Sequence, residues 1–463
     1  MKSISPSIFR AYDIRGIVGE TITEESVKLI GQALGSLLRE LGETQMIIAR
    51  DGRDSGPVLL NALSDGLQST GCDVIDIGMV PTPILYFATH VLHSNSGVML
   101  TGSHNPASYN GLKMVIQSRT QSESEIQDIY HRIEKGNFVK GQGKKTELDL
   151  QDQYCEAICQ QITLKRPLKI VIDAGNGVAG AIAPQLFKAL GCEVYSLFCD
   201  VNGAFPNHHP DPSQVDNLQD LIHQVTVLKA DVGLAFDGDG DRLGVVTSTG
   251  EIIWPDRLLM LFAKHVLLDA PVMQDKPTII YDVKCTNRLF PLIESLGGVP
   301  LMWKTGHSFI KTKMKETKAQ LAGEMSGHFF FNDRWYGFDD ALYAGARFLE
   351  ILSQYELDSA QVVSSIPNSV NTPELKVHVA EEEKFLLMQK LIDEANFHDA
   401  KEILTIDGLR VNFQDGWGLV RPSNTTPYLI MRFEALNEGI LEKIQFIFRD
   451  WMLSVKPDLV LPF

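Results

Sequence analysis

The hexapeptide TGSHNP at 101–106 is the first stretch of this chain with residue types that could do chemistry. It follows the apolar run GVML at 97–100, so it predicts a loop at the end of a strand. A glycine and a proline bracket Ser103, which predicts an exposed hydroxyl held out for reaction. A regular strand would point Ser103 and His104 apart, so the two need not act as a serine and its base.

The hexapeptide DGDGDR is the second stretch whose residue types could do chemistry. Its aspartates, Asp237, Asp239 and Asp241, alternate with two glycines. Three bare neighbouring carboxylates repel one another, which raises one or more of their pKa values. A divalent cation removes the repulsion, and oxygen ligands favour Mg²⁺ or Ca²⁺. An EF-hand is excluded, because its sixth position needs Gly and here is Arg242. We expect a metal site with room for a phosphate oxygen or water.

Two further loops supply basic and polar side chains. The loop RPSNTTP at 421–427 offers a guanidinium, hydroxyls and backbone N–H groups, which suit a phosphate cradle, although an arginine in a polar hairpin is also common. The other group combines two histidines with a glutamate, a serine and a lysine, which favours contacts with sugar hydroxyls and proton transfer. Its members are Lys284, His307, Glu324, Ser326 and His328.

A metal, a hydroxyl nucleophile and a phosphate anchor together favour phosphoryl transfer. That chemistry needs positioning and charge neutralisation more than an elaborate base. A serine that already carried a phosphoryl group would make the enzyme its own donor.

A strand–helix–strand pattern recurs along the chain and must position these loops. The apolar strands end in an acidic residue, and each pattern continues to a further strand and a conspicuous loop. The strands are predicted at 45–51, 169–173 and 278–282, and the loops are TGSHNP, DGDGDR and GEMSGH (323–328). Because ligands bind beyond the carboxyl ends of such strands, one shared cleft is expected.

The pattern changes after a linker predicted at 366–373. A helix around 381–396, a hairpin at Asp407-Gly408 and strands within 417–435 predict a small α+β domain. The linker motivates the hypothesis that this domain swings to close the cleft.

Composition and charge limit the possible partners. The net charge of −16 argues against nucleic acid and anionic membranes. The chain has no signal-like start and no apolar run long enough to span a membrane, and its 6 cysteines form no C-x-x-C pair. A cytoplasmic enzyme with reduced thiols is expected.

The sequence GNGVAG at 175–180 opens a competing interpretation, a nicotinamide-dependent oxidoreductase. It follows a strand, and Asp200 stands where a ribose-binding acid would be. Asp173 would face the pyrophosphate with negative charge, and the sibling units lack the glycines. A tight strand–helix turn is therefore favoured.

TGSHNP, DGDGDR, GEMSGH and RPSNTTP, in this order over the whole length, resemble the four motifs of the α-D-phosphohexomutases. The resemblance implies an α/β fold with three similar mixed-sheet α/β domains plus a smaller α+β C-terminal domain around a central cleft. The expected domains span 1–146, 147–252, 253–367 and 368–463. It also implies that Ser103 carries a phosphoryl group and joins the three aspartates as a ligand of Mg²⁺.

The resemblance assigns further roles. Proton transfer falls to His328 and His307, with Lys113 and Arg15 as electrostatic aids. Glu324 and Ser326 are expected to hold the 3- and 4-hydroxyls of the sugar. The remaining substrate contacts are expected at Tyr12, Arg242, Lys284, Arg421, Ser423, Asn424 and Thr425.

The implied reaction interconverts hexose 1- and 6-phosphates through a hexose 1,6-bisphosphate that turns over in the cleft. The bacterial members that act on mannose and glucose phosphates are favoured, because phosphoglucosamine mutases, the alternative, typically carry Gln where this chain has Met325. The implied partners are small hexose phosphates, with no nucleic acid or membrane, and the protein is expected to be a monomer. A dehalogenase-like phosphatase with Asp237 as nucleophile and a non-catalytic sugar-phosphate binder stay open.

Overall fold

The computed structural model describes residues 4–269, 276–424 and 426–463. These residues form four separate sheets of 7, 5, 4 and 6 strands. We refer to the sheets with their flanking helices as the first to the fourth unit.

The first unit holds the largest sheet, whose strand order is β1-β5-β4-β2-β3-β7 with β6 beside β5. Its first long helix starts at a capping box between Thr23 and Ser26, which satisfies exposed N–H groups of the first turn. The elements are β1 (Ile14–Ile17), α1 (Glu24–Glu40), β2 (Gln45–Arg50), α2 (Gly56–Gln68), β3 (Asp73–Met79), α3 (Thr82–Val91), β4 (Gly97–Leu100), β5 (Tyr109–Ile116), β6 (Arg119–Thr120), α4 (Ser124–Lys135) and β7 (Lys145–Glu147).

The second unit has the strand order β12-β11-β10-β8-β9. Its central strands are buried almost throughout, as the continuous apolar runs predict. The elements are α5 (Gln151–Gln161), β8 (Lys169–Asp173), α6 (Ala183–Ala189), β9 (Glu193–Leu197), α7 (Gln219–Leu228), β10 (Val232–Phe236), β11 (Leu243–Thr247) and β12 (Ile252–Ile253).

The third unit has the strand order β14-β13-β15-β16. Its helix from Ala341 to Ser353 is buried along its whole length, which makes it a central core element. The elements are α8 (Pro255–Asp269), β13 (Thr278–Asp282), α9 (Leu289–Ser295), β14 (Val299–Trp303), α10 (His307–Thr317), β15 (Leu321–Gly323), β16 (Phe329–Phe331), α11 (Ala341–Ser353) and α12 (Ser359–Ser364).

The fourth unit is an antiparallel sheet covered by two helices. The expected helix and hairpin are both present, as α13 and as the β19–β20 turn that contains Gly408 at φ +76°. The elements are β17 (Val370–Asn371), β18 (Leu375–His378), α13 (Lys384–Asp393), β19 (Glu402–Leu404), β20 (Leu409–Asn412), β21 (Gly416–Pro422), β22 (Tyr428–Ala435) and α14 (Glu438–Val455).

The first three sheets share one arrangement. In each, three parallel strands are followed by one antiparallel strand, in the orders β3-β2-β4-β5, β9-β8-β10-β11 and β14-β13-β15-β16. TGSHNP, DGDGDR and GEMSGH all join the last parallel strand to the antiparallel one. The expected α/β fold of three similar mixed-sheet units and a smaller α+β unit is confirmed.

The apolar core is continuous across the first three units. A single cluster contains Ile47 from β2, Ile170 from β8 and Leu321 from β15, with the buried helix α11 between them. The fourth unit has a cluster of its own around Phe433 and Phe448. The large cluster thus joins three units, and a small apolar cluster of Val283, Trp417 and Leu419 joins the third unit to the fourth.

The segment 366–373 departs from a plain linker. Val370 and Asn371 form β17 and pair with Ala435 and Glu434 of β22. The fourth sheet therefore begins within the connection. In the part of the chain that the structure describes, no helix combines the length and the apolar character needed to cross a membrane.

Candidate active site

Ser103 lies at the tip of the loop between β4 and β5, with backbone φ of +49°. Its side chain is 2% exposed, so the expectation of an exposed hydroxyl is wrong. The expected separation of Ser103 from His104 is also wrong, because this φ departs from strand geometry and brings Oγ to 3.2 Å from His104 Nδ1. Burial and the nearby Arg242 hold the pKa of His104 well below its usual value.

Asp51 and Arg53, just after β2, brace this loop. The Asp51 carboxylate accepts from Thr101 Oγ1 at 2.7 Å and from Gly102 N at 3.2 Å. The buried Arg53 guanidinium donates to the carbonyl oxygens of Ser103, Asn105, Pro106 and Tyr109 at 2.6–3.0 Å. Five donors in a rigid fork suit this task, and the result is a fixed serine.

The DGDGDR loop meets the serine loop directly. Ser103 Oγ donates to Asp237 Oδ2 at 3.1 Å. A Cβ at Gly238 would lie 2.4 Å from Ser103 O, so only glycine permits this approach. Thr82 of the first unit also donates to Asp239, at 2.6 Å. The loops of two units therefore form one site.

Lys113 of β5 neutralises part of the acidic cluster. Its Nζ contacts Asp239 Oδ2 at 2.7 Å and also bonds Asp241. Burial favours the protonated form of Asp239, but Lys113 outweighs it and lowers the pKa of that carboxyl. Burial, with the negative charge of Asp239, raises the pKa of Asp237 and of Asp241. The expected repulsion thus acts on two of the three aspartates.

The three aspartates fit a divalent metal ion. Their carboxylate oxygens lie within 4.8 Å of one another, and all three side chains are fully buried. Asp239 Oδ1 and Asp241 Oδ1 have no hydrogen-bond partner among the described residues. Buried carboxylate oxygens without donors are costly unless a cation meets them, and hard oxygen ligands suit such a cation.

Two histidines of the third unit face the acidic cluster across Asp339. His328 Nδ1 lies 3.3 Å and His307 Nδ1 lies 3.7 Å from the Asp339 carboxylate, which also accepts from Lys311 at 2.8 Å. Arg242 Nε donates to His328 Nε2 at 3.1 Å, so that nitrogen carries a lone pair. Burial and Lys311 hold the pKa of His307 well below its usual value.

Glu324 and Ser326 lie in the GEMSGH loop, between β15 and β16. Glu324 is buried and accepts from Gly306 N at 2.5 Å. Burial raises its pKa to about 6, although His328 acts in the opposite direction. Lys284, just after β13, forms an ion pair of 2.6 Å with Glu374 of the fourth unit. A carboxylate and an ammonium thus stand on neighbouring loops.

The RPSNTTP loop joins β21 to β22. Arg421 is buried and donates from Nε to Asp407 at 2.9 Å, which orients its guanidinium. Ser423 Oγ accepts from the Thr426 backbone N–H at 3.1 Å. Asn424 borders the cleft, and Thr425 lies outside the described residues.

These side chains border one cavity of about 600 Å³, to which all four units contribute. Tyr12 and Arg15 enter from the N-terminal segment: the Tyr12 ring packs edge-on against His307 at 5.7 Å, and Arg15 donates to Asn105 at 2.5 Å. The three aspartates lie beneath Ser103 and do not border the cavity. The sequence-predicted residues on its wall are Tyr12, Arg15, Ser103, Lys113, Arg242, Lys284, His307, Glu324, Ser326, His328, Arg421, Ser423 and Asn424.

Neither rival chemistry has an accessible site. Cβ atoms at Gly177 and Gly180 would lie 2.9 Å from Gly238 O and 2.3 Å from Cys199 O, so GNGVAG is a tight turn filled by backbone. Asp237, the nucleophile of the phosphatase interpretation, accepts at Oδ1 from the N–H groups of Asp241 and Arg242 beneath Ser103.

Three residues of the site were missed. Arg53, Asp339 and Glu374 act on groups far away in sequence, so no local spacing marks them. The sequence held one related signal: an aspartate stands at the end of β8 and of β13 and just after β2. Asp51, Asp173 and Asp282 each brace a neighbouring loop through N–H or hydroxyl donors.

Comparisons with known proteins agree with this architecture. Four models of the phosphoglucomutase/phosphomannomutase family match in order: α/β/α domain I at residues 6–140, domain II at 152–250, domain III at 254–370 and the C-terminal domain at 374–450. A Pseudomonas aeruginosa protein named phosphomannomutase/phosphoglucomutase is 54% identical over 461 residues, covering 100% of this chain and 98% of that protein.

Solved structures give the same result. A phosphoglucomutase/phosphomannomutase family protein from Burkholderia thailandensis has a TM-score of 0.94 and 52% identity, covering 99% of this chain and 100% of the other. An Aspergillus fumigatus N-acetylphosphoglucosamine mutase, solved with GlcNAc-6P and magnesium, shares the fold at 13% identity and a TM-score of 0.62, covering 97% and 96%. With the resemblance of the four motifs confirmed, the chain belongs to the phosphoglucomutase/phosphomannomutase family of α-D-phosphohexomutases.

Proposed function

We propose that this protein is a phosphomannomutase/phosphoglucomutase, which reversibly converts the 1-phosphates of mannose and glucose to their 6-phosphates. The observation that carries the proposal is the contact between Ser103 Oγ and Asp237 at the floor of a cleft built by four units. Arg15, Arg242, Lys284 and Arg421 bring positive charges to a wall that also carries carboxylates, in a chain of net charge −16. These guanidinium and ammonium groups can bind the phosphates of phosphorylated sugars.

Ser103 is the proposed carrier of the phosphoryl group. The Oγ–P bond breaks as a bond forms from phosphorus to a free hydroxyl of the hexose monophosphate, which gives hexose 1,6-bisphosphate. After the bisphosphate turns over, its other phosphoryl group passes to Oγ and the product leaves. Hexose 1,6-bisphosphate is therefore the intermediate of the proposed reaction. It is also the proposed activator, because it can donate a phosphoryl group to a free Ser103.

Mg²⁺ is the proposed metal, which Asp237, Asp239, Asp241 and Ser103 would hold. When bound, it would neutralise negative charge on the transferring phosphoryl group. Lys113 bonds Asp239 and Asp241 and adds a positive charge beside the serine. Arg15 reaches the same loop through Asn105.

His328 is the proposed base and acid. Its Nε2 exchanges the Arg242 N–H for the attacking sugar hydroxyl and takes the proton of that hydroxyl. In the second transfer, the ring gives a proton to the other sugar oxygen as that oxygen loses phosphorus. Asp339 orients the ring from Nδ1, an arrangement that stabilises the imidazolium. His307 shares Asp339, and its depressed pKa suits a neutral hydrogen-bonding role.

The sugar is proposed to lie between the third and fourth units. Glu324 and Ser326 are assigned to the 3- and 4-hydroxyls, which glucose and mannose share. Because these contacts do not involve the 2-position, at which the two sugars differ, both sugars can bind. The non-transferring phosphate is assigned to Arg421, Ser423, Asn424 and Thr425, with Tyr12, Arg242 and Lys284 bordering the ring.

Phosphorus NMR with Mg²⁺ and a trace of glucose 1,6-bisphosphate tests the proposal. Mannose 1-phosphate and glucose 1-phosphate should both become 6-phosphates, and Ser103→Ala should lose or severely reduce turnover. Ser118→Ala is the matched control, because Ser118 also has a positive φ but lies outside the cleft. Turnover of glucosamine 1-phosphate alone would replace the substrate, and no turnover of any sugar would refute the mutase.

A cytoplasmic location and a monomeric state stay predictions. Light scattering coupled to gel filtration should give a mass near 51.5 kDa. A mass of twice that value would contradict the monomer.

A further inference from the structure

A second cavity, of about 660 Å³, lies between the first and third units and shares no lining residue with the catalytic cleft. One wall is α10, and the facing wall is the turn that leads into β6. This volume is in the range of small-molecule sites. The cavity backs onto the catalytic cleft, because Lys311 Nζ lies 3.9 Å from the Tyr86 ring and bonds Asp339.

The cavity is basic in an acidic protein. Arg119, Lys311, Lys315 and Lys318 border it, and Glu316 is the one carboxylate among its lining residues. Arg119 also forms an ion pair of 2.7 Å with Glu125, which lies outside the lining. Glu316 is directed to Lys313 at 3.1 Å. Lys315 and Lys318 make no ion pair with any residue that the structure describes. The local charge therefore suits a multiply charged anion.

The floor of the cavity is aromatic. Tyr336 and Phe338 stack with ring centroids 6.1 Å apart and an interplanar angle of 4°, and His90 packs on Tyr336 at 5.0 Å. Tyr336 also contacts the rings of Phe87 and Trp335, at 5.9 and 5.0 Å, yet the residue remains 41% exposed, so part of it is accessible to a ligand. Planar rings bind such side chains by stacking. Aromatic floor and cationic rim together match a planar base linked to phosphates.

We infer that this cavity binds a nucleoside phosphate, whose base stacks on Tyr336 and whose phosphates contact Lys315, Lys318 and Arg119. The buried Tyr86 hydroxyl, at the boundary with the cleft, has no hydrogen-bond partner among the described residues. It offers a further polar contact. Binding here does not depend on the catalytic proposal.

Fluorescence titration with mant-ADP tests the inference, in Mg²⁺ buffer with saturating glucose 1-phosphate to occupy the cleft. Saturable binding is expected. Lys315→Glu and Tyr336→Ala should each weaken it about tenfold or more, since each removes a charged or stacking contact. Lys188→Glu, the same charge change on α6 of the second unit, should leave it unchanged.

Three results would overturn the inference. They are the absence of binding, binding that Lys315→Glu leaves intact, and binding abolished by glucose 1-phosphate, which would assign it to the cleft. If pyrophosphate displaced mant-ADP as effectively as ADP does, and Tyr336→Ala had no effect, the cavity would be a phosphate site that does not recognise the base. Because the readout is fluorescence, failure here and failure of the mutase reaction are distinguishable.

Discussion

Lys113 is the single ammonium that bonds the acidic cluster, through Asp239 and Asp241, within the residues that the structure describes. It therefore balances carboxylates that a metal would otherwise neutralise. Removing one partner of a buried charge group leaves the others uncompensated, at a cost of about 3–5 kcal/mol.

We expect Lys113→Met to unfold at a lower temperature than the wild type in EDTA. Added Mg²⁺ should raise the melting temperature of the variant by more than it raises that of the wild type, because the metal replaces the missing positive charge. Scanning fluorimetry with and without Mg²⁺ measures this, and the exposed cleft residue Lys376→Met is the control. Equal Mg²⁺ shifts in both proteins would contradict the argument.

Glu324 and Glu374 should respond to pH in opposite directions. Burial raises the pKa of Glu324 from 4.5 to about 6, so ionised Glu324 destabilises the fold, and this penalty grows as the pH rises through that window. Partial loss of solvent opposes ionisation of the more exposed Glu374, but Lys284 lowers its pKa to about 2. Ionised Glu374 therefore stabilises the fold above pH 4.5, and that contribution is lost as the pH falls through about 2.

Glu324→Gln should accordingly raise the free energy of unfolding at pH 8, with a smaller gain at pH 5. Glu374→Gln should lower it at pH 8. Urea unfolding at the two pH values measures both changes. A Glu324→Gln variant that is destabilised at pH 8 would show that its hydrogen bonds outweigh its burial.

The loop between β4 and β5 depends on Arg53 for its shape. A lysine keeps the charge but cannot donate to four carbonyl oxygens and to Asp51 at once. We expect Arg53→Lys to lower kcat about tenfold to a hundredfold, because the serine is misplaced, while KM changes little. Steady-state kinetics tests this against Arg50→Lys, whose side chain donates once to the Asp51 carbonyl. A changed KM at constant kcat would assign Arg53 to substrate binding.

At the level of elements, the sequence carries most of the architecture. Apolar β-branched runs such as 169–173 predict buried parallel strands wherever they stand, and the loops after them are visible from glycine and acidic residues. The Ser103–His104 contact was not predictable, because it depends on one positive φ in a loop. The roles of Arg53 and Asp339 could not be predicted from the sequence, because the residues that they contact lie in other elements.

At the scale of the molecule, the fourth unit is attached through buried polar contacts. Arg410 bonds the carbonyl oxygens of Val283 and Cys285 in the third unit, and its guanidinium carbon lies 3.7 Å from the Trp417 ring centroid. Arg432 adds an ion pair of 2.8 Å with Asp256. These contacts, with the small apolar cluster of Val283, Trp417 and Leu419, join two bodies whose main apolar cores are separate.

Arg410→Met should therefore let the fourth unit unfold separately, as an earlier transition in calorimetry. Each carbonyl left without its donor costs about 1–3 kcal/mol. Arg449→Met, whose side chain lies on Phe463 within the fourth unit, should not split the transition. A single transition in Arg410→Met would mean that the apolar contacts alone suffice to couple the units.

Closure of the cleft by the fourth unit stays a prediction. A hexose phosphate that spans Ser103 and Arg421 would draw the first and fourth units together, with the segment before β17 as the hinge. X-ray scattering should record a smaller radius of gyration at saturating glucose 1-phosphate. Unchanged curves would count against the swing.

The continuous core of the first three units has a consequence for exchange between relatives. Three look-alike sheets suggest interchangeable modules, yet Ile47, Ile170 and Leu321 belong to one cluster. A chimera that replaces only the second unit would bring foreign side chains to one side of each shared interface. These side chains would not fit the original side chains on the other side. The fourth unit, whose main core is separate, would transplant with fewer mismatches, provided that Arg410, Arg432 and Trp417 met the same partners in the third unit.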